Sequence, residues 1–179
     1  YKTTDGGKTW KRLTKGIPKG ELGRIAIDIA PSRPGTVYAL IESKETALYR
    51  SDDMGESWRK MGTSLGIKSR PFYFANIKVD PKNHNRIYNP SLFLSVSDDG
   101  GKTFTSPISL ETGFFMSIHP DLHAIWIDPN NPNYVLIGTD GGVYVSYNRA
   151  HNFKFLSNLP VSQFYHVSYD FQIPYWVYG

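Results

Sequence analysis

An all-β fold built from repeated four-stranded antiparallel sheets is what this 179-residue sequence predicts, and three observations carry that prediction. An eight-residue pattern, Ser/Thr-x-Asp-x-Gly-x-Thr/Ser-Trp/Phe, returns at a nearly fixed period. Between its copies runs a second element, an apolar alternation that ends in Asp and a Pro/Asn-rich turn. Aromatic residues make up 15% of the chain, and flat rings pack well on pleated surfaces.

The Asp pattern reads Thr3 to Trp10, Ser51 to Trp58 and Ser97 to Phe104, with a decayed copy at Ser146 to Phe153 that has Asn148 for Asp and Ala150 for Gly. Its central positions 5, 53, 99 and 148 lie 48, 46 and 49 residues apart. Such a period means that one supersecondary unit is stacked repeatedly. The motif chemistry suits a turn: Asp accepts backbone N–H bonds, Gly supplies positive φ, and Thr or Ser adds a hydroxyl. Asp5, Gly7, Trp10, Asp53, Gly55, Trp58, Asp99, Gly101 and Phe104 are therefore expected to be structural, with each aromatic ring buried against its sheet.

The second element appears as Ile25-Ala26-Ile27-Asp28 leading to Val37-Tyr38, Ile77-Lys78-Val79-Asp80 leading to Ile87-Tyr88, and Ile125-Trp126-Ile127-Asp128 leading to Val135-Leu136. A fourth copy runs from Val167-Ser168-Tyr169-Asp170 to Val177-Tyr178. Alternation marks half-buried strands, and the Asp with Pro or Asn behind it marks the turn that ends each one. Each unit then holds four strands, placed in the second unit at 74–79, 86–90, 92–97 and 103–107, with the Asp motif between the third and fourth. Four short strands per repeat, with no helical period, describe β-propeller blades. The units are the end of a blade at 1–13, complete blades at 22–62, 73–108 and 122–157, and the start of another at 162–179. An open arc of this size leaves wide edges unpaired, so the remaining blades are expected outside this sequence or in a partner chain.

Charge argues against nucleic acid. The net charge is +4, but residues 1–24 hold seven Lys/Arg against two acids and the rest hold thirteen against fourteen. Scattered cations without a stacking series of aromatics make a poor nucleic-acid footprint, whereas edge strands commonly carry Lys. No stretch approaches eighteen consecutive apolar residues, so no membrane insertion is expected. The chain has no cysteine, which removes disulfides and thiolate metal sites. No cofactor and no metal site is expected.

The Asp motifs resemble the BNR, or Asp-box, repeat of sialidases, sortilin-type receptors and secreted glycosyl hydrolase-like propellers. His123 to Pro132, Gly138 to Tyr144, Leu159 to Tyr165 and Pro174 to Gly179 look most like the last group. The resemblance implies a β-propeller and an extracellular, periplasmic or cell-surface location. It implies little about activity, because the Asp-box is structural in all these families. The early Phe-Arg-Ile-Pro motif of sialidases is missing, and so is the cysteine-rich module of sortilin-type receptors.

Function is expected on the face opposite the Asp turns, where loops 14–24, 41–47, 60–73, 105–122, 138–142 and 157–166 gather. His119-Pro120-Asp121-Leu122-His123 places two His and an Asp at alternate positions, which suits a proton relay or a metal. No further ligand has a recognisable spacing, so the plainer reading is a loop entering a strand with each side chain satisfied by backbone. Thr139-Asp140-Gly141-Gly142 reads as a tight hairpin, and it resembles the Thr-Asp-x-Gly-Gly-x-Tyr stretch of xyloglucan-cleaving endoglucanases, one residue shorter. Asp140 and Asp121 are the candidate catalytic carboxylates, with Glu111 a possible partner. Candidate ligand-binding residues are His119, His123, Glu111, Arg70, Tyr73, Gln163 and Tyr165. Among Phe72, Tyr73, Phe74, Phe164, Tyr165, Tyr175 and Trp176, most are expected in the core. The first functional expectation is a non-catalytic module that binds protein or glycan. The alternative is part of a glycoside hydrolase whose carboxylate pair is split between this arc and other blades.

Overall fold

The computed structural model describes residues 1–107, 118–159 and 166–178, and it is a row of antiparallel β-sheets. The first blade is a meander of β1 (Ile25–Ile29), β2 (Val37–Ile41), β3 (Ala47–Ser51) and β4 (Arg59–Lys60). One-turn helices α1 (Leu65–Lys68) and α2 (Pro71–Phe74) lead to the second blade: β5 (Lys78–Val79), β6 (Ile87–Asn89) and β7 (Ser95–Ser97). Its outermost strand is reduced to one bridge, Thr105 on Val96. The third blade holds β8 (Leu122–Ile127), β9 (Val135–Thr139), β10 (Gly142–Ser146) and β11 (Lys154–Phe155). A two-stranded pair follows, β12 (Ser168–Tyr169) with β13 (Val177–Tyr178), while Lys2 and Lys11 close a hairpin at the other end. This is the all-β, Asp-box propeller architecture that the repeat predicts.

The period of two sorts each strand's residues onto two faces, and the blades bury those faces against one another. Tyr38, Leu40 and Leu48 of the first blade pack with Ile77, Val79 and Ile87 of the second. Tyr88, Leu94 and Val96 of the second pack with Ile127, Val135 and Ile137 of the third. The other face of the first blade carries Ala39, Ile41, Ala47 and Tyr49, closed over by Ile17 and Trp58. The core is therefore a series of slabs between sheets. Burial lifts the Tyr38 hydroxyl to a pKa of about 12, and that hydroxyl donates to the His84 carbonyl of the next blade at 2.8 Å.

Each Asp motif ties its turn the same way. In the second blade Asp99 Oδ1 accepts from the Ser97 hydroxyl (2.8 Å) and the Lys102 and Thr103 amides (2.9 and 3.0 Å), while Oδ2 accepts from the Thr103 hydroxyl (2.6 Å). Ser97 Oγ in turn accepts from the Gly101 amide at 2.8 Å. Asp53 and Asp5 repeat the pattern with Ser51 and Ser57, and with Thr3 and Thr9. Burial alone would raise the Asp99 pKa, but its hydroxyl and amide donors win and hold it at about 2. The Thr9 hydroxyl and amide hold Asp5 at about 2 as well, and those of Ser57 push Asp53 well below the usual carboxylate range. In the decayed copy Asn148 Oδ1 still accepts from Ser146 Oγ and the Asn152 amide, and Arg149 and Ala150 keep the left-handed φ of the glycines they replace.

Several expectations need correction. The segment 60–73 is not a bare loop: Ser64 caps α1 by accepting from the Ile67 amide, and Pro71 opens α2. The strand expected at 74–79 is consequently only Lys78–Val79, because α2 consumes Phe74. The strand expected at 92–97 begins at Ser95, and that at 103–107 survives only as the Thr105 bridge. Trp10 keeps its indole N–H bond to Gly7 but is 59% exposed, so its ring is not buried as Trp58 and Phe104 partly are. Phe72, Tyr73, Tyr175 and Trp176 are exposed rather than core; Phe74 alone of the described residues in that aromatic set is buried. Glu111, Phe164, Gln163 and Tyr165 lie outside the described residues.

Two outcomes follow for stability. Asp99→Ala removes the bonds that close a turn and is expected to lower unfolding free energy by about 1–2 kcal/mol, read from thermal or urea melts. Because Asp99 titrates lower in the fold than its ordinary value of 3.8, it stabilises above pH 3.8 and that contribution is lost as the pH falls toward about 2. Asp99→Asn should therefore flatten the acid limb of the stability curve. Gly101 has φ 90°, and a Cβ there would meet the Leu48 side chain of the preceding blade. Gly101→Ala is expected to cost about 2–4 kcal/mol in the same melts, from backbone strain and overpacking together.

Candidate functional site

The Asp turns and the β1–β2 turn occupy one edge of the sheets: the Met54 amide donates to Gly35 at 3.0 Å and Thr36 Oγ1 donates to Asp52 at 3.0 Å. The opposite edge carries the β9–β10 hairpin, the start of β8 and the α1–α2 connection. Several of the predicted site residues meet there.

The centre is His123. The register of β8 on β9 slips between Leu122, opposite Thr139, and Ala124, opposite Gly138. His123 is thus the extra residue of a β-bulge, a device that re-aims a side chain. Its Nε2 lies 2.9 Å from Asp140 Oδ1, in the turn of the adjoining hairpin, with both side chains less than half exposed. With Asp140 accepting from Nε2–H, a neutral His123 keeps Nδ1 as an acceptor. The hairpin that presents Asp140 is tied by Thr139 Oγ1, which accepts from the Gly141 amide (3.0 Å) and donates to the Gly142 carbonyl (3.1 Å). The positive φ of this hairpin falls on Gly142, at 116°, rather than on Asp140 or Gly141, so it is not the type I′ turn expected of Asp-Gly.

Aromatic residues from the neighbouring blade complete the site. Tyr73 meets the His123 ring edge-on at 5.5 Å and Phe74 lies tilted to it at 5.5 Å. Tyr73 is half exposed and Phe74 is buried, so the first offers a surface while the second anchors it. The Arg70 guanidinium sits 5.9 Å from the Tyr73 ring centre and 6.0 Å from that of Phe74. Arg24, from the approach to β1, donates to the Tyr73 and Phe72 carbonyls at 3.0 and 3.4 Å. Asn76 Nδ2 donates to the His123 carbonyl at 3.1 Å. Arg24, Tyr73, Phe74, Asn76, Leu122 and His123 line a cleft of about 240 Å³.

Asp121 joins through its backbone: its carbonyl accepts from the Asp140 amide at 3.2 Å and its own amide donates to Leu92 at 3.1 Å. Asp121 and Arg70 both hold left-handed backbone, at φ 60° and 50°. Among the described residues the other non-glycines that do so, Met54, Arg149 and Ala150, lie in the Asp turns. Backbone strain of this kind costs roughly 1–3 kcal/mol and concentrates where a site is over-determined. His119 Nδ1 contacts the Pro120 carbonyl at 2.8 Å, and its ring packs flush on Gly141, where a Cβ would collide with it. Among the described residues no three His, Asp or Glu side chains converge to hold a metal ion.

Arg70, Tyr73, His119, His123 and Asp140 thus converge, with Asp121 bracing the hairpin. Arg24 and Asn76 were missed. Each stands four residues before the Asp that ends the first strand of its blade, Asp28 or Asp80, and that shared offset was the available signal; His123 stands five before Asp128, the bulge adding one residue. A tyrosine face beside a directional acceptor and flanking cations suits a polyhydroxylated ligand, which has apolar ring faces and hydroxyl donors.

Comparison with known proteins agrees with this architecture. The family of the BNR/Asp-box repeat matches residues 1–12. A probable oligoxyloglucan-reducing end-specific xyloglucanase of Neosartorya fischeri is 30% identical over 97 residues, 49% of this chain and 11% of that protein. Among solved structures, the GH74 enzyme of Niastella koreensis superposes with a TM-score of 0.60 at 18% identity, over 74% of this chain and 22% of the enzyme. The GH74 xyloglucanase of Xanthomonas campestris does so with a TM-score of 0.56 at 16% identity, over 75% and 23%. The chain spans about a ninth of the curated relative and under a quarter of either structure. At these identities the structural likeness establishes the β-propeller fold.

Arg24→Ala should release α2 while leaving the third blade intact. Hydrogen exchange is expected to speed up at the Tyr73 and Phe74 amides, which bond to Arg70, with β9 and β10 unchanged.

Proposed function

We propose that this arc of blades binds a neutral polysaccharide of the β-glucan class on the face around His123, as a non-catalytic binding surface outside the cytoplasm. One observation carries the reading: an exposed Tyr73 ring stands edge-on to a His123–Asp140 pair that a β-bulge has turned toward it. A sugar ring lays its apolar face on tyrosine while its hydroxyls bond to the carboxylate and imidazole. Phe72, exposed on the same helix, extends the apolar surface. The partial likeness to a probable xyloglucanase points to the same ligand class.

A second reading has its own support. Asp140 is exposed enough to meet a glycosidic oxygen, and that likeness is to a protein named as an enzyme. Hydrolysis requires a second carboxylate about 5–10 Å from the first. Asp121 takes part through its backbone, so that second group would come from another loop.

Calorimetric titration with xyloglucan oligosaccharides tests the proposal. Tyr73→Ala and Asp140→Asn are each expected to weaken binding at least about tenfold, or roughly 1.4 kcal/mol, with melting unchanged. Release of reducing ends by the native chain, lost in Asp140→Asn, would select the hydrolase reading. Absence of binding to any soluble β-glucan would overturn both.

A further inference from the structure

The edge that holds His123 carries a second concavity, built from the β2–β3 turn and the run from β4 into α1. Successive turns of an antiparallel meander alternate between its two edges, so the β2–β3 turn emerges away from the Asp turns. Lys44 stands on that turn, Lys60 on β4 and Lys68 at the end of α1. With Glu45, Thr46 and Thr63 they line a cleft of about 400 Å³.

Each cation is mounted on fixed backbone. The β2–β3 turn is tied by its own side chains: Thr46 Oγ1 accepts from the Ser43 amide (3.2 Å) and donates to the Ser43 carbonyl (3.1 Å), and Ser43 Oγ accepts from the Glu45 amide (3.2 Å). Lys60 lies opposite Tyr49 in the register of β3 and β4. Helix α1 is anchored by the buried Ile67 and by the Ser91 hydroxyl, which donates to the Gly66 carbonyl at 2.9 Å.

Three lysines face one glutamate in this cleft, and a concavity lined by one sign of charge concentrates counter-ions of the other. Glu45 already responds to that field. It accepts from Lys60 Nζ at 2.6 Å, and this bond, the Lys60 charge and then the Lys68 charge hold its carboxyl below the ordinary value of 4.5. Among the described residues Lys44 and Lys68 form no ion pair.

We infer that this cleft binds the carboxylate of a uronic-acid residue carried on a glycan chain. The lining holds no aromatic or aliphatic residue, so it lacks the apolar centre of a protein interface. Lysines are flexible point charges, suited to a carboxylate that no planar fork clamps. Lys44 and Lys68 take the carboxylate, while Thr63 and Glu45 take hydroxyls of the sugar. The glycan carrier rests on the reading of the His123 face, because only Ser69 and Arg70 separate α1 from α2; the anion site itself does not. An acidic branch at this cleft goes beyond the neutral backbone proposed for Tyr73 and His123.

NMR titration of the lysine side-chain signals with sodium glucuronate, glucose and sodium sulfate, at low ionic strength, tests the cleft without the His123 face. Glucuronate is expected to shift Lys44, Lys60 and Lys68, glucose to shift none of them, and added sodium chloride to reverse the effect. Lys44→Gln and Lys68→Gln should each weaken glucuronate binding at least about threefold, the scale of one exposed charge pair. Glu45→Gln removes the internal competitor and should strengthen binding by a similar factor. Melting should hold in all three variants, since exposed pairs contribute little to stability. Tyr73→Ala should leave the titration as it is, so loss of glycan binding at His123 and loss of the anion site are separate results. Glucuronate shifts spread evenly over the surface lysines, or unaltered by the Lys44, Lys68 and Glu45 variants, would overturn the site. Sulfate binding as tightly as glucuronate would assign the cleft to a free oxyanion and overturn the glycan carrier.

Discussion

The structure depends on one small knot of hydrogen bonds, in which an aspartate ties together the two ends of a five-residue turn. Asp5, Asp53 and Asp99 each take a hydroxyl from two residues before and an amide and hydroxyl from four residues after. The knot fixes where the third strand of a blade stops and where the aromatic ring beyond the turn begins. That ring, or its neighbour, then reaches the next slab of core: Trp58 onto one cluster, Phe104 onto another, Phe153 onto a third. A local turn thereby sets the spacing between sheets. The carboxylates are spent on this, which is why the most conspicuous acids in the chain lie on the edge away from the candidate site.

Stacking sheets face to face has a second effect. Each blade delivers the start of its first strand to the same edge, where Arg24, Asn76 and His123 gather from three different blades. No one repeat holds the site. It is assembled by the stacking, with α2 inserted between the first two blades as its wall and the bulge at His123 as its focus. Arg24 is an example of the coupling: it leaves the first blade and holds the backbone of Tyr73 at the second.

What could be read from the residues divides along the same line. The Asp spacing and the alternating Ile-x-Ile-Asp runs name the architecture, because turn chemistry and a period of two are local properties that neighbours cannot reverse. His123 and Asp140 were also legible as candidates, since both stand beside a clear turn. Their meeting was not, because a one-residue bulge is invisible in a pattern that tolerates either register. Helices α1 and α2 escaped notice because a single turn has no period to detect; only the Ser64 cap and Pro71 announce them. The truncated strand at Thr105 was overestimated for the opposite reason, as propensity there exceeds the pairing that neighbours provide.

The decayed turn at residues 146–153 gives the arc a direction. Its knot is tied by the neutral amide of Asn148, which accepts from the Ser146 hydroxyl and the Asn152 backbone amide, and Asn152 has no hydroxyl to match those of Thr9, Ser57 and Thr103. The turns at Asp5, Asp53 and Asp99 hold a charge that protons can discharge; this one holds none. Acid therefore discharges the first three turns and leaves the bonds of Asn148 itself unchanged. The difference between the turns is a single oxygen exchanged for an amino group.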